Sequence, residues 1–318
     1  MTLVLLPDTI PLDPRVPEGV RTATYDVRAR IPADLRDADA LVVWGNPADR
    51  LAEAARDLPE LRWVQSLAAG PDSVLAAGFD PAVVVTSGRG LHDGPVAEHT
   101  LALLLALARR LPDAVRAQQR REWSTEIGGL QPIPGADGAG FRSLSGARVL
   151  IWGFGSIAAR LAPALTLLGA QVVGIASTAG QRAGYPVVTI DEARDLLPRT
   201  DVLIDILPAT AATRRIVDDG ILRRLPAHAV FVNVGRGSTV DEGALMHALQ
   251  EGRLAGAAVD VTATEPLPPD SPLWDLPNLL ITPHAAGGRP VGADTLLVDN
   301  IGAFHTGEPL RNTVVRPG

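Results

Sequence analysis

An arginine, a glutamate and a histidine each follow an apolar run that has the length of a buried β-strand. These residues are Arg236, Glu265 and His284. Arginine binds a carboxylate through two parallel hydrogen bonds and polarises a neighbouring carbonyl. Histidine exchanges protons near neutral pH, and a carboxylate beside a histidine orients the ring and favours its protonated form. Together these residue types suit the transfer of a hydride to a 2-keto acid.

A glycine-rich turn stands near the middle of the sequence. The apolar run Val149–Trp152 leads into Gly153-Phe154-Gly155-Ser156-Ile157-Ala158, and a helical pattern and a second apolar run follow. Strand, glycine turn, helix and strand form the βαβ unit of dinucleotide-binding folds. Gly153 would allow the tight turn, Gly155 would let a pyrophosphate approach the backbone, and Ala158 would let the helix pack closely. The pattern predicts a dinucleotide site at a helix N-terminus, and an ordinary tight turn is the alternative.

The residues after the second of these strands bear on which dinucleotide binds. NAD-specific folds carry an aspartate or glutamate about 20 residues past the glycines, where it accepts hydrogen bonds from the ribose. Ala176 occupies that place here, and Ser177, Thr178 and Arg182 follow. An acid would repel a 2′-phosphate, whereas these three side chains can bind one, so we expect NADP(H) to be favoured over NAD(H). The alternative is that Arg182 is a solvated loop residue and that either cofactor serves.

Strand patterns alternate with helical patterns along the chain. Strands before the glycine turn are predicted at Leu3–Leu6, Arg21–Val27, Leu41–Trp44, Leu61–Ser66 and Val83–Thr86, with helical stretches between the first ones. Strands after the turn are predicted at Val202–Leu207, Ala229–Val234, Gly256–Val261 and Leu279–Thr282, and helices at Asp191–Leu197, Asp218–Leu225 and Glu242–Glu251. This alternation predicts the α/β fold class with two doubly wound parallel-sheet domains. Ligands of such sheets bind at the carboxyl ends of the strands.

One long helix is predicted from Val96 to about Arg121, opened by Pro95 and followed by a loop over Ile127–Gly140. We expect this helix to lead from the first domain into the second. Its stretch Leu101–Leu111 is too apolar for a free surface, so it is either buried or part of an oligomer interface. The arginines near its end are interpreted as a solvated helix face.

Composition excludes several kinds of chemistry. The 318 residues contain no cysteine, and all 29 basic residues are arginine. Thiolate catalysis, a cysteine metal site, a Schiff base and a Walker A loop are therefore excluded, and no metal site is predicted. The net charge of -7 disfavours a nucleic-acid partner. The richest apolar run is shorter than the ~20 residues of a membrane span, and no leader pattern is present, so we expect a cytoplasmic protein with no membrane partner.

Several motifs resemble those of the D-isomer-specific 2-hydroxyacid dehydrogenases, most closely the glyoxylate/hydroxypyruvate reductase branch. The motifs are NVGRG at Asn233–Gly237, DVTATEPLP at Asp260–Pro268, TPHAAG at Thr282–Gly287, LPAT at Leu207–Thr210 and PVAEHTLALLLAL at Pro95–Leu107. The resemblance implies a Rossmann cofactor domain, residues 97–288, inserted in a flavodoxin-like substrate domain made of residues 1–96 and 289–318. It also implies a homodimer formed through the cofactor domains, to which the helix after Pro95 contributes.

The same resemblance implies roles for individual residues. Arg236, Glu265 and His284 would be the catalytic set, and Asp260 would hold the nicotinamide carboxamide. The substrate carboxylate would meet Arg236 and the backbone of a turn formed by Leu67, Ala68, Ala69 and Gly70. The cofactor contacts expected from the resemblance and from the two turns described above are Gly153, Gly155, Ser156, Ile157, Ser177, Thr178, Arg182, Leu207, Pro208, Thr213, Val234, Gly235, Arg236, Asp260, His284, Ala286 and Gly287.

Two classes of function follow from these observations. The leading hypothesis is an NADP(H)-preferring D-2-hydroxyacid dehydrogenase that reduces a small 2-keto acid of the glyoxylate or hydroxypyruvate type, with His284 as general acid and base. The pair 3-phosphoglycerate and phosphohydroxypyruvate is the alternative substrate. The other hypothesis is a nucleotide-sensing, corepressor-like interaction protein, because some relatives with this fold act in that way. The intact arginine, glutamate and histidine favour the enzyme.

Overall fold

The chain folds into two α/β units. The computed structural model describes residues 1–128 and 141–314. Unit 1 consists of Met1–His92 and Arg289–Gly318, and unit 2 consists of Asp93–Gly288. The sequence-based division after residue 96 differs from this one by the first turn of a helix, which the structure assigns to unit 2.

The described residues form strands and helices that alternate along most of the chain. The strands are β1 (Thr2–Pro7), β2 (Val20–Tyr25), β3 (Ala40–Val43), β4 (Trp63–Ser66), β5 (Val84–Thr86), β6 (Arg148–Trp152), β7 (Gln171–Ile175), β8 (Gly180–Arg182), β9 (Tyr185–Val188), β10 (Val202–Asp205), β11 (Val230–Asn233), β12 (Gly256–Val259) and β13 (Leu279–Ile281). The helices are α1 (Ala48–Asp57), α2 (Asp72–Ala76), α3 (Asp93–Ala108), α4 (Leu111–Gln119), α5 (Thr125–Gly128), α6 (Ser156–Leu167), α7 (Ile190–Ala193), α8 (Asp219–Leu222), α9 (Glu242–Gln250) and α10 (Ala293–Thr306). Short 3₁₀ turns lie at Ala33–Leu35, Leu197–Arg199, Gly237–Thr239 and Pro272–Asp275.

Unit 1 is built on a five-stranded parallel sheet. Its strand order is β2-β1-β3-β4-β5, which is the flavodoxin-like order of doubly wound folds. Successive residues of β1 enter opposite cores, since Leu3 and Leu5 pack in one cluster while Val4 and Leu6 pack in the other. A strand buried on both faces needs an unbroken apolar run, which the sequence provides here.

Unit 2 is built on an eight-stranded sheet of order β13-β12-β11-β10-β6-β7-β9-β8. All pairs are parallel except β8 with β9, an edge hairpin that the sequence analysis did not predict. One face packs against α3 and α6 through residues such as Leu104 and Leu161, and the other packs against α8 and α9. The predicted fold class, two doubly wound parallel-sheet domains, is confirmed.

The predicted helix from Val96 to Arg121 is two helices. α3 begins three residues earlier, at Asp93, and α4 starts after Arg110, which has a φ of 52° in the left-handed region. Pro112 in the first turn of α4 has no N–H for a continuous helix, so a new helix starts there instead. Leu103 and Leu104 are buried in the core, whereas Leu111 is 51% exposed. The other leucines of this apolar stretch, Leu101, Leu105 and Leu107, are partly buried against the same core.

Other predicted elements are shorter in the structure or lie elsewhere. The helical stretches expected between the first three strands reduce to one 3₁₀ turn, and the first two residues of the loop predicted over Ile127–Gly140 end α5. The rest of that loop lies outside the described residues. Within the described ranges, no helix combines the length and apolar character needed to cross a bilayer, and no cluster of three potential metal ligands occurs.

Candidate active site

The carboxyl ends of five parallel strands meet at one edge of the unit 2 sheet. β13, β12, β11, β10 and β6 are consecutive neighbours and all pair in parallel. Parallel neighbours end at the same edge, so the turns that follow them are adjacent. The glycine turn, Leu207, Arg236, Asp260 and His284 therefore lie along one edge of one sheet.

The glycine turn after β6 leaves room for a phosphate group. Gly153 has a φ of +97°, and a Cβ there would lie 2.8 Å from the carbonyl oxygen of Ile206, so this position needs glycine. Gly155 precedes α6 in an extended conformation, and apart from Gly155 and its two chain neighbours no described residue has an atom within 4 Å of a Cβ built on it. The first N–H groups of a helix lack partners within the helix. A pyrophosphate could therefore occupy the open space before Ser156 and Ile157, and the residues present fit a dinucleotide.

Arg182 lies beside the glycine turn. Its Nη1 donates to the carbonyl oxygen of Phe154 at 3.3 Å, and its Nη2 donates to Oγ1 of Thr178 at 2.8 Å. Ser177 lies in the same bend, directly after β7 and Ala176. The three side chains considered for a 2′-phosphate thus share the end of β7, which is where the adenosine ribose of a dinucleotide is bound in doubly wound folds.

The loop after β10 packs against the loop after β11. A Cβ on Gly235 would lie 2.7 Å from the backbone nitrogen of Leu207 and 2.6 Å from its carbonyl oxygen, so the two loops touch through their backbones. Thr213 closes the first of these loops, because its Oγ1 donates to the carbonyl oxygen of Pro208 at 2.6 Å. Val234, between β11 and Gly235, is buried.

Arg236 extends from a turn that glycines on both sides pin to the sheet. A Cβ on Gly237 would lie 1.9 Å from the carbonyl carbon of Thr262, so no other residue fits. Nδ2 of Asn233 donates to the carbonyl oxygen of Arg236 at 3.1 Å, and Nη1 of Arg236 donates to the carbonyl oxygen of Gly235 at 2.8 Å. The guanidinium is half-buried, which suits a group that binds an anion at a sheet edge.

His284 and Glu265 form a hydrogen-bonded pair. Nδ1 of His284 lies 2.7 Å from Oε2 of Glu265, and the other carboxylate oxygen accepts a hydrogen bond from the backbone N–H of Thr262 at 3.0 Å. His284 has a φ of 51°, and its backbone N–H donates to the carbonyl oxygen of Asp260 at 2.7 Å. With Nδ1 engaged by the glutamate, Nε2 is the nitrogen that can exchange a proton with a ligand. A cavity of about 430 Å³ adjoins the pair and has Leu267, Trp274 and Ile281 in its wall.

Asp260 holds the loop that carries His284. Its buried carboxylate accepts hydrogen bonds from Oγ1 of Thr282 at 2.6 Å and from the N–H groups of Ala285 and Ala286 at 2.8 and 2.9 Å. Nε2 of His99, on α3, lies 3.0 Å from Oγ1 of Thr282. Asp260 therefore organises the end of β13 in addition to any contact with a cofactor.

Several residues of the site were not identified from the sequence. Thr239 and Asp205 are both fully buried next to the Arg236 turn, and His99 and Thr282 adjoin Asp260. Asp205 could have been identified from the sequence, because it is an acidic residue within the apolar run that ends at Leu207. His99 and Thr282 are 183 positions apart, and no local pattern links residues at that separation.

The turn implied for substrate binding belongs to unit 1. It follows β4, and the side chain of Leu67 is buried in the core, so only its backbone could contact a ligand. The backbone N–H of Leu67 donates to the carbonyl oxygen of Val43, and the backbone N–H of Ala68 donates to Oγ of Ser66 at 3.2 Å. Ala69 and Gly70 complete the turn, and Ala69 is exposed while Gly70 is partly exposed.

A doubly wound sheet with a glycine turn before a helix, and with an arginine and a histidine–glutamate pair at the same edge, defines a nucleotide-dependent oxidoreductase. Residues 101–286 match the model of the D-isomer specific 2-hydroxyacid dehydrogenase, NAD binding domain. The chain belongs to this family and is an oxidoreductase that binds NAD(P).

Individual relatives agree with this assignment. A glyoxylate reductase of Aeropyrum pernix is 32% identical over 289 residues, which cover 88% of this chain and 84% of that protein. A D-isomer specific 2-hydroxyacid dehydrogenase of Xanthobacter autotrophicus, solved with NADPH and MES, superposes with a TM-score of 0.78 at 29% identity over 99% of this chain and 98% of that one. An NADPH-dependent glyoxylate/hydroxypyruvate reductase of Sinorhizobium meliloti, solved with NADP and sulfate, superposes with a TM-score of 0.77 at 27% identity over 98% of each chain. Within the family, these relatives support the glyoxylate/hydroxypyruvate reductase-like branch.

Proposed function

We propose that the protein is an NADP(H)-dependent D-2-hydroxyacid dehydrogenase that reduces a small 2-keto acid of the glyoxylate or hydroxypyruvate type. The observation that carries the proposal is the 2.7 Å pair of His284 and Glu265 at the same sheet edge as Arg236. When bound at the glycine turn, the reduced cofactor supplies the hydride. The relatives named as reductases of these acids support the substrate class.

The chain's own residues would bind the substrate and move the proton. Arg236 would hold the substrate carboxylate and draw electron density from the neighbouring carbonyl. His284 would give its Nε2 proton to the carbonyl oxygen as that oxygen gains negative charge. Glu265 would keep the ring oriented through its contact with Nδ1, which leaves Nε2 to face the substrate. In unit 1, the turn Leu67–Gly70 stays a predicted contact for a carboxylate.

The decisive experiment follows the absorbance of NADPH or NADH after addition of glyoxylate, hydroxypyruvate, pyruvate, phenylpyruvate or phosphohydroxypyruvate. We expect rapid oxidation of NADPH with glyoxylate or hydroxypyruvate. Tight cofactor binding without turnover of any acid would contradict the proposal. Cofactor-dependent dimerisation in the absence of turnover would instead favour the corepressor-like alternative.

The end of β7 supports a preference for NADP(H). Ala176 leaves no carboxylate to repel a 2′-phosphate, and Arg182 lies near Thr178 with its charge beside the glycine turn. The two solved relatives with bound NADP or NADPH agree with this interpretation.

We expect Arg182→Gln to raise the KM for NADPH about tenfold to hundredfold and to leave the KM for NADH within about threefold. A hydrogen bond to a charged group contributes about 1.5–3 kcal/mol, and only NADPH carries the 2′-phosphate. Arg194→Gln, on an arginine that is exposed at the end of α7, is the matched control. A wild-type preference for NADH, or equal effects of Arg182→Gln on both cofactors, would contradict this assignment.

We expect Gly155→Ala to weaken cofactor binding at least tenfold without lowering the Tm of the cofactor-free protein. The φ of −102° suits alanine, and its methyl group would enter only the space reserved for the pyrophosphate. Calorimetric titration with NADPH and thermal unfolding separate the two effects. Gly302→Ala on α10, where the φ is not in the left-handed region and the added methyl group meets equally open space, controls for loss of a glycine. Unchanged affinity for NADPH in Gly155→Ala would place the phosphates elsewhere.

A homodimer is part of the proposal. Leu111 and Val115 on α4 are each 51% exposed and Trp123 is 94% exposed, so apolar surface is present near the helix that the family resemblance assigns to the interface. Nucleic acid is not expected as a partner, since Arg110 and Arg116 are both paired with Asp113, and Arg120 with Glu122. The absence of a membrane partner and the cytoplasmic location stay predictions.

A further inference from the structure

Asp205 is a buried acid that the proposed reaction does not use. It ends β10, its side chain is fully buried, and its strand neighbours in register are Trp152 on β6 and Asn233 on β11. Oδ1 accepts a hydrogen bond from the N–H of Leu207 at 2.8 Å, and Oδ2 lies 2.5 Å from Oγ1 of Thr239. The groups that face the carboxyl are thus neutral.

The hydroxyl of Thr239 has two close oxygen neighbours and only one hydrogen to share. Its Oγ1 lies 2.5 Å from Oδ2 of Asp205 and 2.6 Å from the carbonyl oxygen of Arg236. A carbonyl oxygen only accepts, and an ionised carboxylate also only accepts. Oxygen atoms this close require a hydrogen between them, so two hydrogens are needed for the two contacts. Thr239 provides one, and the second must come from a protonated Asp205.

We propose that Asp205 is held protonated and acts, through Thr239, as a positioning residue for Arg236. In this chain of bonds the Asp205 carboxyl donates to Thr239, and Thr239 donates to the carbonyl oxygen of Arg236. Nδ2 of Asn233 donates to the same carbonyl, so two neighbouring strands hold the residue that the proposed function assigns to the substrate carboxylate. The kinetic part of the inference rests on that proposed function, whereas the protonation state does not.

Burial supports the protonated form. It raises the pKa of Asp205 to about 7, against the smaller opposing effect of the hydrogen bonds that an ionised carboxylate would accept from Thr239 and Leu207. When the proton is lost, Thr239 must turn its single hydrogen toward the carboxylate, and the Arg236 carbonyl loses that donor. The Arg236 turn is therefore held most firmly below neutral pH, and this support weakens as the pH rises through about 7.

The protonation state is tested without any substrate. Infrared difference spectra of the wild type against Asp205→Asn at pH 6 should contain the carbonyl band of a protonated carboxylic acid, which should fade as the pH rises past 7. Asparagine keeps the acceptor for Leu207 and a donor for Thr239, so the variant preserves the bonds and removes only the titration. Absence of that band at pH 6 would overturn the proposal.

Stability provides a second measurement that does not depend on activity. The pKa of Asp205 rises from 3.8 to about 7 on folding, so between these pH values the folded protein binds a proton that the unfolded chain releases. Stability from this group is therefore greatest below about pH 4 and is lost as the pH rises to about 7. The Tm of the wild type minus that of Asp205→Asn should fall over this range, and a constant difference would contradict a titrating Asp205.

The positioning role is tested by keto-acid kinetics. Thr239→Val should lower kcat/KM for the keto acid about threefold to tenfold, as expected for one lost hydrogen bond, while the Kd for NADPH stays within twofold. Thr239→Ser should restore the rate. Thr200→Val is the matched control, because Thr200 is a buried threonine that donates to a backbone carbonyl at the opposite end of β10.

The variants also separate the two hypotheses. At pH 6, Asp205→Asn should have the same kcat/KM as the wild type. Between pH 6 and pH 8.5, its kcat/KM should fall less than that of the wild type. This comparison also tests the positioning role if Thr239→Val does not fold. The positioning role would be overturned if the infrared band of the protonated acid is present but Thr239→Val has unchanged kinetics and Asp205→Asn has the same pH profile as the wild type. If the wild type reduces no keto acid, the proposed function fails, while the infrared and stability results still decide whether Asp205 is protonated.

Discussion

His284→Asn is expected to lower kcat for keto-acid reduction by about 10²- to 10⁴-fold, the usual contribution of a positioned general acid. The reason is geometric: Glu265 engages Nδ1 at 2.7 Å, which leaves Nε2 as the proton donor. Asparagine is preferred to alanine at this position because His284 has a φ of 51°, a conformation that asparagine adopts more readily. The backbone bond to Asp260 should therefore survive the change.

The measurement is the steady-state oxidation of NADPH with saturating keto acid, together with the Kd of the cofactor. Cofactor affinity should fall no more than a few-fold, because His284 is one of many expected cofactor contacts and the glycine turn follows a different strand. His247→Asn, at an exposed histidine on α9, is the matched control and should retain full activity. More than a tenth of wild-type kcat in His284→Asn would mean that another group supplies the proton.

Arg236→Ala is expected to reduce kcat/KM for the keto acid by about 10²- to 10⁴-fold, because two charge-assisted hydrogen bonds of about 1.5–3 kcal/mol each would be lost. Arg236→Lys should recover little of this loss, since an ammonium group retains the charge but not the paired donors. The glycines on both sides keep the backbone in place, so the substitution should act on the side chain alone.

Substrate analogues separate binding from folding in this variant. Competitive inhibition by oxalate or malonate should weaken in parallel with kcat/KM, whereas the Tm and the affinity for NADPH should change little. Arg223→Gln, at an exposed arginine that pairs with Asp219 at the end of α8, should leave inhibition unchanged. Normal binding of these dicarboxylates by Arg236→Ala would mean that a different group holds the substrate carboxylate.

The elements that local patterns predicted well are those whose residues interact with near neighbours in the chain. β6, the glycine turn and α6 appear in the structure as predicted, because a buried parallel strand needs an apolar run and a tight turn needs Gly153. The helices around Arg110 were predicted less well. There the apolar pattern continues across the break between the two helices. Arg110, whose φ is in the left-handed region, separates α3 from α4, and Pro112 lies in the first turn of α4.

By itself, the sequence determined the fold class, the dinucleotide turn and the residue types at the strand ends. These features depend on strand and helix periodicity and on the side chains that follow each strand, which are properties of short segments. Only the tertiary structure sets the order of the strands in the sheet. This order makes β6 and β10–β13 neighbours, so that their carboxyl ends lie at one edge of the sheet. Contacts between distant segments were also beyond the sequence, as in His99 with Thr282 and Asp205 with Thr239. Such pairs form only when the sheet assembles, because burial and hydrogen-bond geometry depend on every strand that packs around them.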